Sequence, residues 1–242
     1  MMKTVQLFED GIGKVDYICH MGSDVSVVNS ARVSFGKEVE NISQKDKKLI
    51  NYLINDHHTS TLEHCTVTFR IKVPLYIRSQ HHRHRTWSYN EISRRYTDFN
   101  LEFYEPKAFR TQHKSNRQAS NPEQLINPSL TNKSNAVANH GVVPVPSYCA
   151  NQAIKDHHIK SLQLFNRLIE SGVCREQARG VLPQNLYTEY YATTNLNNLF
   201  KFIDLRTHEG AQWEIQQLAK AMLDIVTDLY PITVEAWKEN KV

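Results

Sequence analysis

Cysteine is sparse in this chain. Cys19, Cys65, Cys149 and Cys174 are spread over 242 residues and form no C-x-x-C pair, which argues against a zinc knuckle or a disulfide framework. Long apolar runs are missing: none approaches the ~18 residues of a membrane span, and no charged-then-apolar leader opens the sequence. Glycine-rich phosphate loops are absent too. With no G-x-G-x-x-G and no G-x-x-x-x-G-K-[ST], a dinucleotide would have to be held without a Rossmann or Walker loop. Nor is there a large excess of one charge. The net charge of +4 comes from 29 Lys and Arg against 25 Asp and Glu, which favours anionic ligands without demanding nucleic acid. The expectation is a cytoplasmic protein with reduced thiols, no membrane contact and no metal.

What is present reads as α+β in a single domain. The first twenty residues alternate weakly and suggest edge strands, and Asp24 to Val33 reads as a short helix. Ser43 with Asp46 forms a capping-box start for a helix to about Asp56. Cys65, Val67, Phe69, Ile71 and Val73 alternate with polar residues, the period of a half-buried strand. Pro74 suits the first position of a following helix, which would end within Arg83 to Arg85. Residues 107–147 are rich in Asn, Ser, Gln and Pro and show no period, as expected of a surface insertion or lid. Helical spacing returns from Ser147 through Ile169, with Gly172 near its end. Leu186 to Thr194 looks β-like. Ile215, Leu218, Met222, Ile225 and Leu229 define a helix that Pro231 stops. Strands beside helices without a βαβ rhythm favour α+β over a doubly wound sheet.

The densest chemistry lies between Gln80 and Tyr96. Arg83-His84-Arg85 is followed, after seven residues, by Ser93 and Arg94-Arg95, with Glu91 between the two cationic clusters. Guanidinium forks grip phosphate bidentately, a serine hydroxyl adds a donor, and a carboxylate orients a base, a ribose or an arginine. His81-His82-x-His84 is not a metal site by spacing, since adjacent helical residues diverge. Trp87 and Tyr89 suit either packing or stacking on a ring. On these residues alone, a non-catalytic nucleotide- or RNA-binding protein remains an alternative to an enzyme.

Arg-His-Arg, seven residues, then Ser resembles the signature of the flavin-dependent thymidylate synthases. Further blocks match that family in order: Ala31-Arg32-Val33-Ser34-Phe35, His58 to His64, Arg179 with Val181-Leu182-Pro183, Asn195, and Arg206 with Ala211-Gln212-Trp213-Glu214-Ile215. The resemblance implies a homotetramer that binds FAD and dUMP and uses methylenetetrahydrofolate and NADPH to make dTMP. It assigns FAD contacts to Ser34, Ser60, Glu63, Arg83, His84, Arg85, Thr86, Glu91, Asn195, Asn197 and Lys201. It assigns dUMP contacts to Gln80, Arg83, Glu91, Ile92, Ser93, Arg94, Arg95, Arg179 and Arg206. His58 would face the folate or nicotinamide, and Arg206 would lie against the uracil as the catalytic residue. Asn197 and Lys201 stand where some members carry an arginine and an amide, and Gly210 where some carry a histidine. No cysteine sits in a Pro-Cys-His setting. The flavin route needs no thiolate attack on the ring, because FAD supplies the reducing power. Ser93 as nucleophile is the minor option, with Cys174 beside Arg175 the thiol to test. Gln112 to Ser120, in the insertion, resembles a segment of some longer members; its Asn116-Arg117-Gln118 is either a closure over the site or a mobile surface loop.

Overall fold

Local chemistry sets the first elements. In the computed structural model, which describes residues 3–130, 137–138, 141–142 and 148–240, strands β1 (Thr4–Gln6) and β2 (Lys14–Met21) lead into helix α1 (Asp24–Arg32). Helix α2 (Gln44–Asn55) starts in the expected capping box of Ser43 and Asp46. Strand β3 (Thr66–Pro74) buries Val67, Phe69, Ile71 and Val73 on one face, as their alternation predicts. Pro74 closes that strand and caps helix α3 (Leu75–His81), one position earlier than expected. The basic motif is likewise displaced: Arg83, His84 and Arg85 follow α3 rather than ending it. There the backbone N–H groups of Arg83 and His84 tighten onto the carbonyls of Gln80 and His81. The Tyr89 hydroxyl donates to the carbonyls of His81 and His84, at 3.0 Å each. Glu91, between the two cationic clusters, ends strand β4 (Ser88–Glu91).

The chain divides into two compact units, Met1–Ile92 with Thr188–Val242, and Ser93–Tyr187. The second contains the expected insertion and extends beyond it. Strands β5 (Phe109–Gln112) and β6 (Ser120–Ile126) pair antiparallel, as do β7 (Val137–Ala138) and β8 (Gly141–Val142). β6 leaves most of its residues exposed on both faces, so no alternation marked it. The helix start expected at Ser147 falls outside the described residues; helix α4 (Ala150–Glu170) buries His158, Ser161 and Phe165. His158 stacks on Phe103 at 4.7 Å and meets Glu105 at 3.0 Å. A short helix α5 (Arg175–Ala178) follows.

Strand β9 (Tyr187–Asn195) returns the chain to the first unit and runs directly into helix α6 (Leu196–Thr207), an element the sequence reading left out. Its opening Asn-Leu-Asn-Asn reads as loop, yet the Asn195 side chain accepts the Asn198 N–H at 2.9 Å and caps it. Helix α7 (Trp213–Leu229) carries the predicted apolar stripe. Pro231 ends it and begins helix α8 (Pro231–Glu239), where a missing N–H is tolerated. The five-stranded sheet has the order β1-β2-β3-β9-β4, with β1/β2, β2/β3 and β4/β9 antiparallel. β1 is therefore an edge strand, while β2 lies inside. The α7 stripe joins β3 and α6 in one core, each large side chain contributing about 1.5–3 kcal/mol of burial. The fold is α+β.

Candidate active site

The last turn of helix α6 carries Arg206. Half-buried Arg206 donates from Nε to His84 Nε2 at 3.1 Å and from Nη2 to the Gln80 carbonyl at 3.3 Å. The Nε–H can only donate, so His84 Nε2 is the unprotonated nitrogen of a neutral imidazole. Burial, reinforced by the Arg206 charge, pushes the His84 pKa down to about 4. The Gln80 amide reaches Gln212, whose amide donates to the buried Glu214 at 3.0 Å. Three predicted residues from two distant segments thus meet. Gln212 and Glu214 lie in the Ala211 to Ile215 block, and their supporting bonds depend on the tertiary fold.

Glu91 is engaged by its own chain. Arg78 donates to its Oε2 from Nε at 2.8 Å and also from Nη2, while the Thr188 hydroxyl donates to Oε1 at 2.6 Å. Sequence reasoning missed Arg78, although a cation at the fourth position of α3, just before the basic motif, was the available signal. Ile92 continues the strand, its N–H bonded to the Glu189 carbonyl. By contrast, Arg83, Arg85 and Thr86 are exposed, and the two guanidinium groups make no hydrogen bond or ion pair among the described residues. Trp87 is buried edge-on to His81 at 4.6 Å, and Tyr89 is tied to backbone carbonyls. Both are packing residues, not a stacking platform for bases. His81 bonds Tyr190 within the core, and no cluster of three potential metal ligands occurs among the described residues.

A cavity of about 530 Å³ opens between α2, α6 and α8, lined in part by His57, Thr59, Asn197, Phe200, Lys201 and Trp237. The buried Asn197 amide donates to Glu63 Oε1 at 2.9 Å, joining α6 to the turn Thr59–His64. Ser60 is exposed on that turn. His58 precedes it, its ring edge-on to Tyr52 at 5.6 Å. Ser34 is exposed in the turn Val33–Phe35. Asn195 is spent in part on capping α6.

Ser93, Arg94, Arg95 and Arg179 belong to the second unit. Arg94 donates to the carbonyls of Phe99, Asn100 and Tyr187, so its fork braces the backbone. Arg95 and Arg179 are exposed about Glu176: Arg95 lies 3.8 Å from its carboxylate and Arg179 Nε 3.3 Å from its carbonyl. The Ser93 hydroxyl accepts the Arg95 N–H at 3.3 Å. Cys174 is exposed and bonded to Gln177 at 3.4 Å.

A family model described as thymidylate synthase complementing protein matches residues 16–232. A flavin-dependent thymidylate synthase of Thermus thermophilus is 41% identical over 237 residues, covering 98% of this chain and 79% of that one. The chain belongs to the flavin-dependent thymidylate synthase family. Another synthase of this family, from Thermotoga neapolitana, is 37% identical over 225 residues, with 93% and 90% coverage. Among solved structures, the UMP/dUMP methylase PolB of Streptomyces cacaoi, bound with 5-Br dUMP, superposes with a TM-score of 0.77 at 29% identity and covers 97% of both chains. As a member of the flavin-dependent thymidylate synthase family, the protein is a methyltransferase-type flavoenzyme of dTMP formation. No helix among the described residues is long and apolar enough to cross a membrane.

Proposed function

We propose that the enzyme methylates dUMP reductively at C5, with methylenetetrahydrofolate as carbon donor and NADPH as the source of reducing equivalents through FAD. The observation that carries this reading is Arg206. Its guanidinium is held by an imidazole and a carbonyl, with no carboxylate in ion-pair range among the described residues. A positive charge left uncompensated in a half-buried site stabilises electron density developing on a pyrimidine carbonyl.

The donor set suits FAD. Arg83 and Arg85 have forks to spare for a pyrophosphate, and the cavity offers Asn197 and Lys201 beside apolar surface on which a ring packs. Ser34, Ser60, Glu63, His84, Thr86, Glu91 and Asn195 would complete the cofactor contacts. Bound FAD supplies the hydride chemistry that the protein's own side chains lack. For dUMP, the contacts proposed are Gln80, Arg83, Glu91, Ile92, Ser93, Arg94, Arg95, Arg179 and Arg206. Glu91 serves in the orientation set by Arg78 and Thr188, and Arg94 acts through the backbone that it braces. His58 would meet the folate or nicotinamide. The 5-Br dUMP held by the Streptomyces methylase supports the nucleotide reading. The assembly proposed is a cytoplasmic homotetramer of one domain per chain, acting on small molecules rather than nucleic acid.

The test is an anaerobic absorbance titration with FAD, then NADPH and dUMP, followed by assay of dTMP after folate addition. Flavin bands that bleach, with dTMP formed, support the reading. A protein that retains no flavin, or that forms no dTMP from reduced flavin, overturns it.

A further inference from the structure

We infer that His84 is a positioning residue for Arg206, chosen as a neutral acceptor so that the guanidinium is fixed without losing its charge. This rests on the reading of Arg206 as the catalytic cation. The FAD contact proposed for His84 is a separate task of the same ring, and the two assignments can be told apart.

The geometry is specific. Other paired arginines of the first unit, Arg32, Arg70 and Arg78, meet carboxylates, on Asp46, Glu189 and Glu91. Arg206 instead meets His84 Nε2 and the Gln80 carbonyl. A carboxylate in the His84 position would hold the fork more tightly and cancel most of its field. An imidazole lone pair holds it by a dipole alone.

The ring itself is over-determined. His84 stands edge-on to Phe202 at 4.8 Å, and its own carbonyl accepts the Tyr89 hydroxyl. Because Nε2 is the acceptor, Nδ1 carries the proton. Nε2 is thus taken up by Arg206, and Nδ1–H is the ring's one remaining donor. Gln80 is anchored in turn through Gln212 to Glu214. The fork is therefore aimed by two acceptors, and each acceptor is itself held in place.

The experiment compares three variants of the full-length enzyme with the parent: His84→Phe, His84→Gln and Arg206→Ala. Bound flavin is read by absorbance, and kcat and the KM for dUMP by dTMP formation per bound flavin. His84→Phe keeps a planar ring of similar size but removes the acceptor. It should lower kcat per bound flavin by about 100-fold, the effect of a misplaced catalytic group, while the KM for dUMP changes little. His84→Gln retains an acceptor near the Nε2 position and should recover most of that loss. A His84→Phe enzyme with parental kcat per bound flavin overturns the inference, as does one whose only defect is flavin loss, and so does a His84→Gln enzyme no better than His84→Phe. If His84→Phe fails to fold, His84→Gln against His84→Leu reads the same contrast. Arg206→Ala separates the two levels: parental turnover there refutes the role of Arg206 itself, whereas a dead Arg206→Ala beside a normal His84→Phe refutes only the role of His84.

Discussion

His81 is fully buried, and burial drives its pKa well below the usual 6.5, with smaller contributions from His84, His82 and Arg206. Its Nδ1 meets the Tyr190 hydroxyl at 2.8 Å, while Nε2 has no partner. Trp87, Tyr89, Tyr190 and Phe202 surround the ring and leave no route for solvating a charge. Below about pH 6.5 the unfolded chain binds a proton on His81 that the folded chain refuses. At higher pH no proton has to be given up on folding, and stability falls as the pH drops through that value. The slope is about 1.4 kcal/mol per pH unit for one proton, or about 2 kcal/mol between pH 6.5 and 5.0. His81→Phe removes this term. At about pH 7.5 it strands the Tyr190 hydroxyl, at about 1–3 kcal/mol, but relieves the orphaned Nε2 by a similar amount, so the net change is small. At pH 5.0 the variant should be the more stable by about 2 kcal/mol. Urea unfolding followed by far-ultraviolet circular dichroism, at matched protein and flavin concentrations, measures both values, and other titrating groups cancel in the difference. Parallel pH profiles for parent and variant would refute the reasoning. Pairing with Tyr190→Phe should restore any loss seen at pH 7.5.

Arg78→Ala leaves the partly buried Glu91 with Thr188 as its remaining donor; a double-mutant cycle with Glu91→Gln should give a coupling of about 1 kcal/mol, and a coupling of zero would dismiss the pair as a brace. Gly22→Ala should destabilise by about 1–3 kcal/mol, because φ is +86° and a Cβ would lie 2.8 Å from Cys65 Sγ; an unchanged melting temperature contradicts that geometry. Lys201→Ala removes the cation lining the cavity and should weaken flavin binding about tenfold, a charge-assisted contact being worth about 1.5–3 kcal/mol when fully formed. Its dUMP KM should stay near the parental value, and equal flavin affinity would detach the cavity from the cofactor.

The sequence by itself determined the elements whose chemistry is local. β3 follows from alternation, α2 from its capping box, α7 from its apolar stripe, and the family from motifs that recur in order. Helix α6 escaped because asparagines that cap a helix also read as loop, and only the buried Leu196, Leu199, Phe202 and Ile203 disambiguate them. β4 escaped because a four-residue edge strand alternates too briefly to declare itself. The site divides along the same line. The residues proposed for it are readable in the sequence as a list that includes cations, amides and the two carboxylates Glu63 and Glu91. How they are coupled is not, since Arg206 meets His84 across 122 positions and Asn197 meets Glu63 across 134. Those pairings are set by the packing of α6 against the turns after α2 and α3, and long-range packing leaves no period in the chain. Arg78 shows the same limit: its charge is plain in the sequence, but the sheet register that puts Glu91 within its reach exists only in the folded protein.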